Sequence, residues 1–82
     1  MIKISILLPI YNCEKTIEQT LESIKWADEI LVVDSYSNDS TLDIVKKFGG
    51  RIIQHEYINS AKQKNWALQY CSFDWVFQID SD

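Results

Sequence analysis

Glu29-Ile30-Leu31-Val32-Val33-Asp34 is the stretch whose reading decides the fold. Its apolar run is continuous, so both sides of a pleated strand would be apolar and both faces buried. A parallel sheet covered by helices on its two faces meets that demand. The run ends in an acid, Asp34, and passes into a polar loop full of capping residues, Ser35-Tyr36-Ser37-Asn38-Asp39-Ser40.

Outward from this strand the chain alternates. Upstream, residues 2–8 are short, apolar and rich in β-branched types, and Pro9 suits a strand end because it cannot donate to a ladder. The period then changes. Ile17, Leu21 and Ile24 recur at helical spacing, which predicts a helix over residues 14–25 with Asn12 as N-cap and Glu14 in the first turn. Downstream, residues 40–48 read as a helix with Ile44, Val45 and Phe48 on its inner face, ended by Gly49-Gly50. Residues 51–55 form a short strand. Residues 61–71 form a third helix with Ala61, Leu68 and Cys71 as its buried positions. Residues 75–79 close the chain as a buried strand, Trp75 being either core or an edge awaiting a cover. Trp26 and Trp66 are expected to pack rather than to bind.

The pattern is β-α-β-α-β-α-β. With right-handed crossovers the simplest sheet has order 3-2-1-4, with two helices on one face and the third on the other. The order reverses between strands one and four, and open α/β sheets bind ligands at such a reversal, outside the carboxyl ends of the strands. Pro9, Tyr11, Asn12 and Glu14 follow strand one, Asp34 and Ser35 end strand two, and Asp80 and Asp82 end strand four. Loops are polar anyway, which explains polar strand ends. It does not explain acids closing two apolar strands on one edge.

Asp80 and Asp82 are two apart, so on an extended chain they point the same way and share one target. A divalent cation would offset their repulsion, since hard cations take carboxylate oxygens; a solvated acidic turn is the plainer alternative. Among Lys62, Gln63 and Lys64, one or two could reach the same edge from the start of the third helix, against the alternative of a solvated helix face. Gly49-Gly50 is neither a dinucleotide fingerprint nor a phosphate-binding loop.

Bulk properties bound the rest. Eighty-two residues make one domain at most, burying roughly 60–65% of the unfolded surface. The chain is 46% hydrophobic and 24% charged, with a net charge of −4. That balance speaks against a non-specific nucleic-acid binder, which needs a basic face. No apolar run approaches a membrane span, and the N-terminus does not read as a secretory signal. Cys13 and Cys71 are then expected as reduced thiols, Cys71 as a small core residue and Cys13 as incidental. His55, at a strand end, is expected to be structural or exposed.

Residues 5–12 with Glu14, residues 29–35 and Asp80-Ser81-Asp82 together resemble the family-two inverting glycosyltransferases. Residues 25–29, 35–41, 63–68 and 74–76 are similar to the lipopolysaccharide core glucosyltransferase subgroup, and the likeness covers essentially the whole chain. The resemblance implies the N-terminal, donor-binding part, residues 1–82, of an A-type nucleotide-diphospho-sugar transferase, cut at the Asp-X-Asp motif. It implies a UDP-sugar donor, with glucose as the hexose by the subgroup likeness, and a saccharide or lipid-linked acceptor in cell-envelope polysaccharide synthesis. Mg²⁺ or Mn²⁺ would be the cofactor. Asp34 would accept from the base, Tyr11 would stack on it, Asp80 would meet ribose and metal, Asp82 the metal, and Lys64 or Asn65 would reach the donor. The general base of such enzymes lies beyond the Asp-X-Asp motif, so these residues alone are expected to carry no transferase activity. The implied location is cytoplasmic, with peripheral association at the inner membrane face open to the full enzyme. The rival readings are a nucleotidyltransferase, whose Gly-rich basic first loop is missing here, and a non-catalytic nucleotide-binding or interaction module.

Overall fold

The computed structural model describes residues 2–56 and 60–80. Seven elements alternate: β1 (Ile4–Ile10), α1 (Ile17–Ile24), β2 (Glu29–Asp34), α2 (Thr41–Lys47), β3 (Arg51–Gln54), α3 (Ser60–Leu68) and β4 (Trp75–Gln78). All pairings are parallel and the sheet order is β3-β2-β1-β4, as the alternation predicts.

β2 is the buried strand its sequence requires: Leu31, Val32, Val33 and Asp34 have no exposed surface. The pleat divides the core in two. Ile6, Leu8, Ile10 and Val32 pack with Ile17, Leu21 and Ile24 of α1 and Val45 of α2. Leu7, Leu31 and Val33 pack with Ala67 of α3, joined by Trp66, Ile53 and Val76. Thus α1 and α2 cover one face and α3 the other. α2 closes at Gly49, whose φ of +75° is a left-handed helix end that glycine adopts without strain. A Cβ on Gly50 would come within 2.9 Å of the Val45 side chain, so the chain re-enters the sheet tightly there.

Four expectations need correction. β1 continues through Pro9, paired with Val33. Leu7 and Pro9 turn their backbone groups toward β4, where the Leu7 carbonyl accepts from the Ile79 N–H at 3.0 Å. Pro9 therefore lacks its donor only where β4 itself runs out. Second, α1 starts at Ile17, with Thr16 as N-cap, and not near Glu14. The Cys13 carbonyl takes the Thr16 and Ile17 N–H groups in a turn, while Asn12, in left-handed conformation at φ +43°, sends its side chain elsewhere. Third, α3 buries Gln63 and Ala67, whereas Ala61 is exposed, Leu68 is 38% exposed and Cys71 is half-buried. Discounting Gln63 as polar moves the apparent apolar face off its true position. Fourth, β4 is not buried: it is an edge strand with Trp75 57% and Phe77 49% exposed. Trp26 is also exposed, its Nε1 donating to the Ser23 carbonyl at 2.9 Å. Trp66 does pack, stacked on His55 with ring centroids 3.9 Å apart.

At the amino edge of the sheet, Glu29 ties four segments together. Its carboxylate accepts from Ser5 Oγ at 2.9 Å, Arg51 Nη1 at 2.8 Å, and the Ser72 N–H and Oγ at 2.8 and 2.6 Å. Burial alone would raise its pKa. The Ser72, Arg51 and Ser5 donors outweigh that and hold the carboxyl at about 2 against an ordinary 4.5. A carboxylate lowered by folding stabilises the fold above its unfolded pKa and ceases to do so as pH falls through the folded one. Glu29→Gln is expected to cost about 2 kcal/mol at neutral pH. It should also flatten the loss of stability between pH 4.5 and 2, read by thermal unfolding of both proteins across that range.

Candidate functional site

Because every strand is parallel, the loops after β1, β2 and β4 leave the sheet on one edge. The loops after β1 and β2 are clasped by reciprocal hydrogen bonds. The Asn12 N–H donates to Ser37 Oγ at 2.8 Å and the Asn38 N–H returns to Asn12 Oδ1 at 2.8 Å. The Cys13 N–H donates to Thr41 Oγ1 at 3.0 Å, and Glu14 accepts from the Ser40 N–H at 3.2 Å. Each hydroxyl passes the interaction on: Ser37 Oγ donates to Asp34 and Thr41 Oγ1 to Asp39. The Thr41 hydroxyl in particular keeps the Asp39 carboxyl below the usual carboxylate range. Slight burial opposes that, and the Thr41, Glu14 and Asp39 N–H groups support it.

Asp34 anchors this clasp. It is fully buried, with Oδ2 accepting from the Ser37 N–H at 2.9 Å and Oδ1 from the Ser37 hydroxyl. The same turn sets Tyr36 at φ +59°, a costly conformation for a non-glycine residue. It is held on its other side by Gln54 Oε1, which accepts the Tyr36 N–H at 3.0 Å.

Beside the clasp a cleft of about 680 Å³ opens at the carboxyl edge on the α3 side. Leu7, Val33 and Ala67 are its apolar residues within the core, and Gln63 sits with them. Pro9, Ile10, Tyr11, Ser35, Tyr36, Glu56, Lys64, Gln78 and Asp80 complete the wall, with Cys13 also on it. The volume is that of a pocket for a nucleotide-sized ligand.

Of the residues singled out in the sequence, Pro9, Tyr11, Ser35, Lys64 and Asp80 meet on this wall. Asn12 and Glu14 do not; their polar groups build the clasp. Nor does Asp34. It is in register with Ile10, which packs into the α1–α2 core and also reaches the cleft, but Asp34 itself has no exposed surface and both its oxygens bond Ser37. Burial and the Ser37 bonds thus keep the acid of β2 off the wall that the acid after β4 lines. Asp82 lies outside the described residues. Among the described residues no cluster of three or more His, Cys, Asp or Glu stands ready for a metal. Sequence reasoning missed Glu56, Tyr36 and Gln78 on the wall. Cys71 offers no nucleophile: burial, then the Glu29 charge, push its thiol up, and Arg51 offsets this only in part.

The family model for glycosyl transferase family 2 matches residues 5–82, and the chain belongs to that family. It is 37% identical over 83 residues to an uncharacterized glycosyltransferase of Rickettsia typhi, covering 100% of this chain and 28% of that protein. It is 35% identical over 94 residues to the poly(ribitol-phosphate) beta-N-acetylglucosaminyltransferase TarS of Staphylococcus aureus, covering 100% of this chain and 16% of that one. The chain thus spans under a third of the length of these curated relatives. Among solved structures, glucosyl-3-phosphoglycerate synthase from Mycobacterium tuberculosis, in complex with Mn²⁺, UDP and glucosyl-3-phosphoglycerate, superposes with a TM-score of 0.84. That match has 31% identity and covers 98% of this chain and 33% of the synthase. The same synthase has been solved with Mg²⁺ and UDP. The fold is therefore that of nucleotide-sugar transferases.

If Ser37 is the relay between Asp34 and the first loop, Ser37→Ala leaves a buried carboxylate oxygen and the Asn12 N–H unpaired. Thermal unfolding should show a loss of about 2 kcal/mol, against less than about 0.5 kcal/mol for Ser35→Ala on the cleft wall.

Proposed function

We propose that the chain is the donor-binding part of a metal-dependent, inverting glycosyltransferase that takes its hexose from a UDP-sugar. The observation that carries this is the cleft at the reversal of strand order, on whose wall Tyr11, Ser35, Lys64 and Asp80 come together. The exposed Tyr11 ring suits stacking on a base. Lys64, midway along α3, suits the diphosphate by its charge. Asp34 contributes from beneath, fixing through Ser37 the loop that presents Ser35 and Tyr36.

The residues present fit a divalent cation. Asp80 sets an exposed carboxylate on the wall, and Asp82 follows two residues on. Mg²⁺ and Mn²⁺ sites at phosphates need only one or two carboxylates, because the ligand's own oxygens complete the shell. A three-acid cluster is not required. When bound, such a cation would neutralise the charge that grows on the departing diphosphate.

The finer assignments rest on likeness. Glucose as the sugar is supported by the mycobacterial synthase, which was also solved with UDP-glucose. A cell-envelope polysaccharide, of lipopolysaccharide core type, is supported by the sequence resemblance. A saccharide or lipid-linked acceptor at the cytoplasmic face of the membrane follows from that role. Among the described residues no helix is long and apolar enough to cross a membrane.

Calorimetric titration of the 82-residue chain with UDP tests the proposal. Binding should require Mn²⁺ or Mg²⁺, and should weaken at least about tenfold in Asp80→Ala and Asp82→Ala, the loss of one charge-assisted contact. Binding equally tight without metal, a preference for CTP over UDP, or no nucleotide binding would sink it. The chain alone should turn over no UDP-glucose, so measurable transfer to any acceptor would show that it is more than a donor-binding part.

A further inference from the structure

We infer that Gln63 reads the edge of the bound base, an inference that rests on the uridine-nucleotide reading above. Gln63 is 2% exposed and lines the cleft together with Leu7, Val33 and Ala67. Neither its Nε2 nor its Oε1 has a hydrogen-bond partner among the described residues. Burying an amide without partners is unfavourable, so native folds rarely leave both ends of one unmet. The other buried side-chain atom in that condition among the described residues is His55 Nδ1, and His55 is not on the cleft wall. The unmet hydrogen-bonding capacity of the cleft is therefore gathered at one amide.

The chemistry of that amide selects its ligand. It presents an acceptor and a donor side by side in one plane. A phosphate would engage only Nε2 and a cation only Oε1, leaving the other end unpaired. A sugar brings further hydroxyls that Leu7, Val33 and Ala67 cannot satisfy. The imide edge of uracil offers an N3–H beside a carbonyl oxygen in one flat ring. Oε1 accepts from N3–H and Nε2 donates to the neighbouring carbonyl. The ring's faces meet apolar side chains from the sheet and α3, with Tyr11 at the mouth. Asp34, the obvious reader from sequence, has both oxygens occupied by Ser37. Lys64, the next residue, is exposed on the same wall, where the phosphates of a base seated at Gln63 would emerge.

The test compares UDP with N3-methyl-UDP, whose imide hydrogen is replaced, by calorimetry on the 82-residue chain in Mn²⁺. The wild-type chain should prefer UDP by roughly 10- to 100-fold, the range expected for one or two hydrogen bonds. Gln63→Leu and Gln63→Met should bind UDP weaker by a similar factor and lose the preference. Their unfolding midpoints without nucleotide should rise, because an apolar group of similar size replaces an unpaired buried amide. A preference for UDP that survives in both variants, or a midpoint that falls in both, overturns the assignment. UDP binding absent from the wild-type chain defeats the donor-site reading first, and this inference with it.

Discussion

Parallel pairing is the constraint on which the rest depends. β1 is flanked by β2 and β4 running the same way, so three chain segments must turn at one edge, and whatever chemistry the loops carry is collected there. A second constraint, the two-residue alternation of a strand, then sorts those side chains between faces. Leu7, Pro9, Val33, Gln78 and Asp80 go to the α3 side and line the cleft. Ile10 packs into the α1–α2 core while still reaching the cleft, and Asp34 beside it is fully buried. A buried carboxylate in that position is tolerable only because Ser37 supplies two donors to it. Those donors in turn fix the loop that forms part of the cleft wall.

Polar satisfaction is distributed unevenly over the sheet. At the amino edge Glu29 collects donors from β1, β3 and the turn after α3. At the carboxyl edge the first two loops consume each other's groups in the clasp, while the amide of Gln63 stays unspent. The Glu29 network and the Gln63 amide thus lie toward opposite edges of the sheet.

Much of the architecture was legible because it follows from pattern. The unbroken apolar run of β2, the helical spacing of Ile17, Leu21 and Ile24, and the glycine stop after α2 together define element order and sheet order. The departures in α3 and β4 share a cause: side-chain polarity is a poor guide to exposure there. Gln63 is polar and buried, so α3 seemed to present another face. Trp75 and Phe77 are apolar and exposed, so β4 seemed to be core. Five of the residues named from strand ends and family likeness line the cleft: Pro9 from the end of β1, Tyr11, Ser35 and Asp80 from loops, and Lys64 from α3. The part played by Asn12, Glu14 and Asp34 was not legible, because it depends on which hydrogen bond each group finds once the first two loops meet. Glu56 and Tyr36 carried no pattern at all.

The two thiols sit in contrasting surroundings, and this gives the chain a built-in reporter. Cys13 lies on the cleft wall, whereas Cys71, just after α3, packs against the Leu7, Leu31, Val33 and Ala67 cluster, where burial pushes its thiol up. An alkylating reagent small enough to enter the cleft would mark the first in preference to the second. Protection of that mark would then follow occupancy of the cleft directly, with no need for a labelled nucleotide, an acceptor or turnover.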